Sequence, residues 1–570
     1  MTGRRWPAAA LLCTLAAVQA AAPPTKWGMW PKWGDQADGT YRNPVLPADF
    51  SDLDCIRVGE DYYAISSTMQ FSPGMVILHS RDLVNWEILG HAASDLTQIG
   101  PDLNWSAMNR YGRGIWAGSI RHHDGKFRIY FGTPDEGLFL TTATNPAGPW
   151  EPLQRVLDGP GWDDPCPFWD DDGQGYLVAT SFRDGYKIHL WKLTPDGRAV
   201  VPESDQVIHQ SKGSEANKLY KIDGFYYHLF SDVHAEGRVV MMERSRSIRS
   251  MQGPYTEIRQ LNHADRAAME PNQGGLVQTT SGAWYWFTHH GTGDWEGRAA
   301  SLVPVTWRDG WPILGEPDEQ GIGHFVWSGE KPLTGGAVVT PHTDDEFAET
   351  QLAPQWEWNY QPRADMWSLT ERSGWLRLHA FRPVEPGDLK KAGNTLTQRS
   401  FRTADNEVEV KFDLRGMADG QSAGLCHFSK DASALAVVQT GSVRRLEYQH
   451  GAASVHGPRL RGRYLWLKSR WGLDGASQYS FSRDGRTFTQ LGKPYQLSWG
   501  HYRGDRIGIF SYNDRADAGH ADIDYFHYRY GAPAVDRGRA SGRSAGRHGT
   551  APAPSASKTS VSFGPAAPRK

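Results

Sequence analysis

Polar and apolar residues alternate along most of this 570-residue chain, in short runs that are rich in aromatic and β-branched side chains. Alternation with a period of two is typical of strands with one buried face, whereas an amphipathic helix repeats about every 3.6 residues. No long stretch of the sequence holds the helical period. The pattern therefore predicts an all-β protein.

Five hairpin-like units recur before about residue 300. In each unit two alternating runs flank a turn that contains glycine, often as Asp-Gly, and this pair favours a tight hairpin because both turn residues adopt positive φ. Units of several strands at this spacing are typical of propeller blades. The sequence therefore predicts a five-bladed β-propeller. The turns lie at 58–63, 123–127, 171–176, 222–226 and 280–284.

The repeat ends after Gly315, and from about Phe347 the chain shows short alternating runs without the blade pattern. Many short strands at regular spacing are typical of a β-sandwich. A chain of 570 residues is also too long for one hydrophobic core, which favours two domains. We therefore expect the propeller at 40–335 and the sandwich at 343–531.

Both ends of the chain differ from this β pattern. Residues 1–22 begin with two arginines, continue with an apolar run and end in small residues, which is the order of a secretory signal peptide. The apolar run is too short to span a bilayer, and no other segment is apolar enough. The sequence thus predicts a secreted or periplasmic protein without a membrane span. Residues 535–570, rich in Ser, Ala, Gly and Pro, are predicted to form a disordered basic tail.

The charge and the cysteine content of the chain limit the kinds of partner and of chemistry that we expect. The net charge of the chain is −3, and without the two signal-peptide arginines and the six net positive charges of the tail the body carries −11. An acidic body argues against nucleic acid as a partner. Without Cys13, the odd set Cys55, Cys166 and Cys426 argues against a disulfide framework. We expect buried free thiols, with metal binding or nucleophilic catalysis as the alternative.

Three acidic residues, Asp52, Asp164 and Glu215, stand at matching points of three repeats, each just ahead of a short strand and its turn. A radial repeat brings such positions together, and convergent carboxylates suit glycoside hydrolysis, which needs one group to protonate the leaving oxygen and another to activate water or attack carbon. Each residue also has a simpler interpretation: Asp52 as a turn cap, Asp164 as the start of an Asp-Pro turn, and Glu215 as a solvated charge. The matching position of the three residues in their repeats favours a catalytic role over these simpler interpretations.

Ordered motifs along nearly the whole chain also carry a family resemblance. The motifs include Asn43-Pro44-Val45-Leu46, Asp164-Pro165 with Phe168 and Asp170-Asp171-Asp172-Gly173, Glu215 with Lys218-Leu219-Tyr220-Lys221, Val305-Thr306-Trp307-Arg308-Asp309-Gly310-Trp311-Pro312, Gln355-Trp356-Glu357-Trp358-Asn359 and Asn394-Thr395-Leu396-Thr397-Gln398-Arg399. With these motifs the sequence resembles glycoside hydrolase family 43, including the concanavalin-like sandwich of its xylosidase-like branch.

The resemblance implies roles for the three carboxylates. It implies hydrolysis with inversion of the anomeric carbon, in which Asp52 is the general base and Glu215 the general acid. Asp164 would tune the acid and orient the substrate. An inverting pair must admit a water molecule between its members, at a carboxyl separation of about 6.5–9.5 Å.

The resemblance also implies substrate contacts at Trp116, Phe71 and Arg298. No cofactor is required for the chemistry. A structural calcium ion on the propeller axis is allowed by the resemblance, near the pair His289-His290, but adjacent strand residues point to opposite faces, so at most one of the two reaches the channel. Satisfied packing of the histidines is the alternative.

The predicted function is an exo-acting glycosidase that releases terminal β-D-xylosyl or α-L-arabinofuranosyl units from oligosaccharides of the plant cell wall. A non-catalytic carbohydrate-binding propeller is the alternative, and it would need the carboxylates lost or blocked. A retaining fructan hydrolase is a third hypothesis, but its Arg-Asp-Pro and Glu-Cys signatures are absent from the sequence. Three departures from the family pattern, Leu53, Gly118 and Met69, lie close to the predicted pocket and leave the preferred sugar open. The sequence does not indicate an oligomeric state.

Overall fold

The computed structural model describes residues 33–532 except 252, 254–255, 266–270, 292, 336 and 452. The predicted signal peptide and basic tail lie outside these residues. The regular secondary structure of the described chain consists of β-strands and of 3₁₀ helices of one turn each. None of these helices is long and apolar enough to cross a membrane. The 3₁₀ turns are Leu96–Gln98, Pro101–Leu103, Pro202–Ser204, Ile248–Ser250, Ala364–Met366 and Leu389–Lys391.

Five four-stranded antiparallel sheets form the blades of a propeller, and within each blade every strand pairs with the next one along the chain. The strands are Asp54–Val58, Asp61–Ser66, Gly74–Ser80 and Trp86–Ala93 in blade 1; Gly118–His123, Lys126–Thr133, Gly137–Ala143 and Gln154–Asp158 in blade 2; Trp162–Trp169, Gly175–Ser181, Lys187–Lys192 and Gln206–Gln210 in blade 3; Glu215–Ile222, Phe225–His234, Gly237–Ser245 and Glu257–Gln260 in blade 4; Gly274–Gln278, Trp284–Gly291, Arg298–Arg308 and Trp311–Leu314 in blade 5.

The first strand of each blade lies innermost, next to the first strands of neighbouring blades. The hairpin that leaves this strand follows the predicted turn chemistry. Asp124 and Gly125 have φ of 51° and 71°, and Asp223 and Gly224 have φ of 50° and 74°, the pair of left-handed residues that a type I′ turn needs. The predicted five-bladed propeller is therefore confirmed.

A segment ahead of blade 1 ties the first blade to the last. Strand Thr40–Arg42 pairs with Ser328–Glu330, and the backbone of Leu46 exchanges hydrogen bonds with Ala300 of blade 5. Farther along, the N–H of Phe50 donates to the carbonyl of Arg298 at 2.9 Å. The chain therefore enters blade 1 directly beside the start of the third strand of blade 5.

The C-terminal part is a sandwich of two antiparallel sheets, as predicted. Its first sheet receives one strand from the propeller, because Phe71–Ser72 pairs with Glu357–Asn359. In spatial order the first sheet contains Ala453–Leu460, Val443–His450, Ala432–Thr440, Gln421–Phe428, Arg506–Asn513, Leu396–Arg399, Glu357–Asn359 and Phe71–Ser72. The second contains Trp367–Ser368, Leu376–His379, His520–Arg529, Asn406–Asp413, Tyr464–Trp471, Ala476–Ser482 and Thr489–Gln490, with Tyr495–Gln496 paired to Ala476–Ser482.

A buried ionic cluster lies where the sandwich meets blade 1. Glu357 has no exposed surface, and its two carboxylate oxygens accept hydrogen bonds from Arg399 and Arg506, each at 2.7 Å. His91 of the propeller lies 3.1 Å from the same carboxylate. Burial alone raises the pKa of Glu357, but the two guanidinium groups hold this pKa well below its usual range. One apolar core also runs through both parts, so the sandwich and the propeller share their interior.

Glu357→Gln is expected to lower the free energy of unfolding by about 3–5 kcal/mol, because it leaves two buried arginines without a balancing charge. The contribution of Glu357 is present above its unfolded pKa of about 4.3 and is lost as the pH falls toward the depressed folded pKa. Urea unfolding of both proteins from pH 7 to pH 3 measures this, and their difference should shrink on acidification. The exposed Glu349→Gln is the matched control, and an equal loss there would contradict the assignment.

Candidate active site

A pocket of about 270 Å³ lies at the propeller axis and brings together the three predicted acidic residues. Asp52 stands two residues ahead of the first strand of blade 1, Asp164 lies in the first strand of blade 3, and Glu215 begins the first strand of blade 4. The innermost strands of blades 1, 3 and 4 therefore each bring one of these carboxyl groups to the same space. All three residues lie near the start of their strand but not at one position, since Asp52 precedes it, Asp164 is its third residue and Glu215 its first.

Asp52 is held in a left-handed conformation, with φ of 56°. Its backbone N–H donates to Nδ1 of His289 at 2.8 Å. Its carboxylate accepts a forked pair of hydrogen bonds from Arg298, 2.7 Å to Oδ1 and 3.1 Å to Oδ2, and a third from the Ser67 hydroxyl to Oδ2. A non-glycine residue with positive φ costs about 1–3 kcal/mol and persists only where its surroundings fix it. Here both the backbone and the side chain are fixed.

The two oxygens of the Asp52 carboxylate are not equivalent. A carboxylate oxygen can accept about two hydrogen bonds. Among the described residues Oδ2 accepts two, from Arg298 and Ser67, whereas Oδ1 accepts only one, from Arg298. Oδ1 is thus the atom with room to accept a proton or a hydrogen bond from a molecule in the pocket.

Asp164 is buried and also has a positive φ, of 50°. Its Oδ2 accepts the N–H of Ala216 at 2.8 Å, and its Oδ1 accepts the side-chain amide of Gln273. Ala216 directly follows Glu215 and itself has φ of 68°. The Asp164 carboxylate therefore holds the backbone turn that sets the direction of the Glu215 side chain.

Glu215 is the most exposed of the three predicted acidic residues, with about a third of its side chain accessible to solvent. Its Oε1 lies 3.3 Å from a guanidinium nitrogen of Arg238 and 3.5 Å from the amide nitrogen of Asn272. Arg238 is anchored in turn by the carbonyl of Gly213 at 2.7 Å. Of the three carboxyl groups, that of Glu215 is therefore the most accessible to proton exchange with solvent.

A fourth carboxyl group, Asp163, also lines the pocket, and the sequence analysis did not select it. Successive residues of a regular strand point to opposite faces, so Asp163 and Asp164 should diverge. The register of their strand shifts between Asp163 and Cys166, and Asp164 has its positive φ. This bulge turns both side chains toward the pocket, and Oδ1 of Asp163 accepts the N–H of Asp164. A bulge next to a functional site is a common device.

Burial and mutual repulsion shift the titration of this acidic pair. Burial raises the pKa of Asp163 well above its usual range, and Asp164, Glu215 and Asp52 raise it further. Burial also raises the pKa of Asp164, against the opposing effect of Lys218 and of its hydrogen bonds. Both carboxyl groups therefore hold a proton more readily than exposed aspartates do.

The predicted substrate contacts have different outcomes. Trp116 lines the pocket, and its indole N–H donates to the carbonyl of Gly112 at 3.1 Å. Arg298 also lines the pocket, where it pairs with Asp52.

The prediction for Phe71 is not supported by its position. It is fully buried in the strand that joins the sandwich sheet, with Arg506 over its ring at 4.1 Å and Phe428 against its edge. Pairing with Glu357–Asn359 draws this segment out of the blade and away from the pocket. Met69, two residues earlier, lines the pocket instead.

Three polar atoms in the pocket wall are buried and have no hydrogen-bond partner among the residues that the structure describes: Oδ1 of Asn272, Oε1 of Gln273 and Nε2 of His289. A buried polar atom without a partner costs free energy, and such atoms in a pocket indicate a polar ligand. Two acceptors and one ring N–H suit the hydroxyl groups of a sugar. None of the three was selected from the sequence as a substrate contact.

The sandwich contributes one residue to the pocket, Tyr502, whose side chain is largely exposed at the mouth. Its ring lies 5.8 Å from the guanidinium carbon of Arg298. Tyr502 and His501 both have positive φ, and they form a tight turn closed by backbone hydrogen bonds between Gly500 and Arg503. Two non-glycine residues in such a turn mark a strained segment of the kind found at functional sites.

His289 does not fit the role of a direct metal ligand. Burial, with Arg298 next in effect, lowers the pKa of His289 well below its usual range, so the ring is neutral. Since Nδ1 accepts the N–H of Asp52, the ring proton is on Nε2, which leaves no lone pair for an ion. His290 points away and bonds Ser301. Calcium also prefers oxygen ligands over ring nitrogens.

A different cluster of potential ligands lies outside the pocket, and His263, Asp318 and His324 form it within the described part of the chain. Nε2 of His263 is 2.8 Å from Asp318, and the hydrogen bond that His263 donates to this carboxylate raises the pKa of His263. The rings of His263 and His324 stack at 4.4 Å. The ion pair between His263 and Asp318 and the stacking of His324 on His263 account for this arrangement. The cysteines within the described residues, Cys55, Cys166 and Cys426, are buried free thiols, as expected.

Comparisons with known proteins extend over both parts of the chain. Residues 41–312 match the family model described as glycosyl hydrolases family 43, and residues 344–529 match that of the β-xylosidase C-terminal concanavalin A-like domain. A β-xylosidase of Formosa agariphila is 35% identical over 553 residues, which cover 88% of this chain and 92% of the relative. A non-reducing end α-L-arabinofuranosidase of Bacteroides ovatus is 31% identical over 379 residues, 62% of this chain and 67% of the relative.

A solved structure agrees with the fold. The xylan β-1,4-xylosidase from Bacillus halodurans C-125 superposes with a TM-score of 0.73 at 25% identity, over 86% of this chain and 99% of that chain. The similarity therefore includes the propeller and the sandwich together.

Proposed function

This chain belongs to glycosyl hydrolase family 43 and is a glycoside hydrolase, and from that membership we propose that it is an inverting, exo-acting enzyme that releases terminal xylosyl or arabinofuranosyl units from hemicellulose oligosaccharides. The observation that carries the proposal is the convergence of Asp52, Asp164 and Glu215 on one pocket. The catalytic roles that follow are part of the proposal.

In the proposed reaction Glu215 and Asp52 act in one step. The carboxyl group of Glu215 donates its proton to the glycosidic oxygen as the bond from that oxygen to the anomeric carbon breaks. A water molecule attacks the anomeric carbon from the opposite face and gives a proton to Oδ1 of Asp52. Glu215 ends ionised and Asp52 ends protonated, and exchange with solvent resets both groups. The partial exposure of Glu215 to solvent supports this proton exchange.

Asp164 supports the acid without taking part in proton transfer. Its hydrogen bond to Ala216 holds the turn beside Glu215, and its amide partner Gln273 is one of the residues with an atom open to the sugar. Burial raises the pKa of the neighbouring Asp163 well above its usual range, so this carboxyl group holds a proton more readily than an exposed aspartate does. The pocket thus separates carboxyl groups with different environments and different tasks.

The proposal of exo action rests on the shape of the pocket. A volume of about 270 Å³ lies just below the range of about 300–1,000 Å³ for pockets that enclose a drug-sized ligand. It suits one terminal sugar ring better than the interior of a polymer. Tyr502, which the sandwich places at the mouth, further restricts access to chain ends.

The choice of sugar rests on the relatives and on the polar wall. The two curated relatives described above are named as a β-xylosidase and an α-L-arabinofuranosidase. Terminal xylosyl and arabinofuranosyl units present hydroxyl groups around the reacting carbon in a similar way, and the open atoms of Asn272, Gln273 and His289 would receive them. The predicted signal peptide indicates a secreted or periplasmic location, where such oligosaccharides are met.

Product stereochemistry tests the mechanism. The enzyme is mixed with an aryl β-xyloside or an aryl α-L-arabinofuranoside, and proton NMR follows the first anomer released before mutarotation. We expect hydrolysis of at least one substrate with α-xylose, or β-arabinose, appearing first. Release of the retained anomer would contradict inversion. Binding without turnover of either substrate would favour a carbohydrate-binding protein.

A further inference from the structure

A buried arginine of the sandwich, Arg503, reaches beneath the pocket into blade 1. It has no exposed surface, and its Nε lies 2.9 Å from the carboxylate of Asp49. Its Nη1 donates to the hydroxyl of Ser51 and to the carbonyl of Ser67, each at 3.0 Å. Ser51 directly precedes Asp52. Arg503 therefore contacts two propeller segments next to the proposed base, one at Ser51 and one at Ser67.

Ser67 relays this contact to the carboxylate. A serine hydroxyl has one proton to donate and two lone pairs that accept. The acceptor side of Ser67 faces Arg503, whose Nη1 lies 3.5 Å from Oγ, and Ser51, whose hydroxyl lies 3.3 Å away. Its proton is directed to Oδ2 of Asp52 at 2.5 Å. The arginine thus favours the one hydroxyl orientation that binds the base.

The backbone around this relay is fixed as well. The N–H of Ser67 donates to the carbonyl of Ser51 at 3.1 Å. On the sandwich side, a Cβ on Gly504 would lie 2.6 Å from the carbonyl carbon of Glu296, so the turn that carries Arg503 is seated directly on the propeller backbone. A side chain at position 504 would push the guanidinium away from blade 1.

We propose that Arg503 is a positioning residue for catalysis: through Ser67 it fixes the Asp52 carboxylate so that Oδ2 is saturated and Oδ1 faces the attacking water. This inference rests on the proposed base role of Asp52. Proton transfer to a base requires hydrogen-bond reach and alignment, and a displacement of about 1 Å at a reacting group can lower a rate about 100-fold. The sandwich then completes the catalytic centre in addition to covering it.

Two substitutions and their combination test the relay. Ser67→Ala removes the hydroxyl with little change in volume, and Arg503→Lys keeps the charge but loses the fork of donors. We expect each to lower kcat on an aryl β-xyloside on the order of tenfold to a hundredfold, with KM changed less than about twofold. Because both act on one hydrogen bond, the double variant should be no slower than the slower single variant, which is the signature of coupled positions.

Arg506→Lys is the matched control. Arg506 is also a fully buried sandwich arginine, and it contacts the propeller through the ring of Phe71. Its carboxylate partner is Glu357, not the Asp52 network. We expect Arg506→Lys to lower the melting temperature and to leave kcat within about twofold of the parent.

Three results would overturn the proposal. An unchanged kcat in folded Ser67→Ala would show that the Ser67 hydroxyl does not position Asp52. If Arg503→Lys does not fold, the kcat of Ser67→Ala alone tests the proposal. Multiplicative losses in the double variant would show that the residues act independently. An equal loss of kcat in Arg506→Lys would assign the effect to general damage at the interface. Failure of the proposed function is distinct, because the wild-type enzyme would then release the retained anomer or no sugar.

Discussion

Asp52→Asn is expected to lower kcat/KM at least about 1,000-fold on a xylo-oligosaccharide and on an aryl β-xyloside alike. The substitution keeps the size of the side chain but removes the charge that accepts the proton of water. An improved leaving group cannot compensate, because activation of the nucleophile is needed whichever bond is broken. The loss should therefore be similar on both substrates and should appear mainly in kcat.

The matched control for this substitution is Asp172→Asn. Asp172 is an exposed aspartate in the first hairpin turn of blade 3, outside the pocket, where its Oδ1 accepts a backbone N–H that asparagine can also bind. We expect wild-type rates for it. Circular dichroism and thermal melting of Asp52→Asn establish that the variant is folded. Substantial turnover by a folded Asp52→Asn enzyme would contradict its assignment as the base.

The positions of the three acidic residues follow from the sequence because the fold repeats. Each innermost strand runs into the same kind of glycine-containing hairpin turn, so similar positions in the repeat come to similar positions around the axis. Hairpin turns such as Asp124-Gly125 have a local chemical signature, and the blade count follows from them. The same logic fails where the repeat is broken. Asp163 enters the pocket because of a bulge, which no alternation pattern shows.

Contacts between distant parts of the chain were also beyond the sequence. Phe71 is aromatic and lies close in sequence to the pocket residue Met69, yet its strand pairs with the sandwich. Arg503 and Ser51 lie 452 positions apart, and neither has a local motif that indicates its partner. Tyr502 likewise has no local motif that indicates its place at the pocket. Such residues become recognisable only when the domain packing is known, because their role depends on which backbone they meet.

Glu215→Ala is expected to separate substrates by their leaving groups. A natural xylosidic bond needs a proton on its departing oxygen, so its hydrolysis should fall by about 100- to 10,000-fold. An aryl xyloside with a strongly acidic phenol departs as the phenolate, and it should retain most of its rate because bond cleavage then needs no acid. Measuring kcat/KM for a series of aryl β-xylosides tests this: the dependence on phenol acidity should be shallow in the wild type and steep in the variant.

The matched control for the acid is Glu319→Ala, an exposed glutamate outside the pocket, which should keep the shallow dependence of the wild type. An equal loss on natural and activated substrates would contradict the acid role of Glu215. The expected selective loss in Glu215→Ala differs from the outcome for Asp52→Asn, since only the base variant is expected to lose both substrates equally. The two variants together therefore assign the proton donor and the proton acceptor separately, and a reversal of their patterns would exchange the two roles.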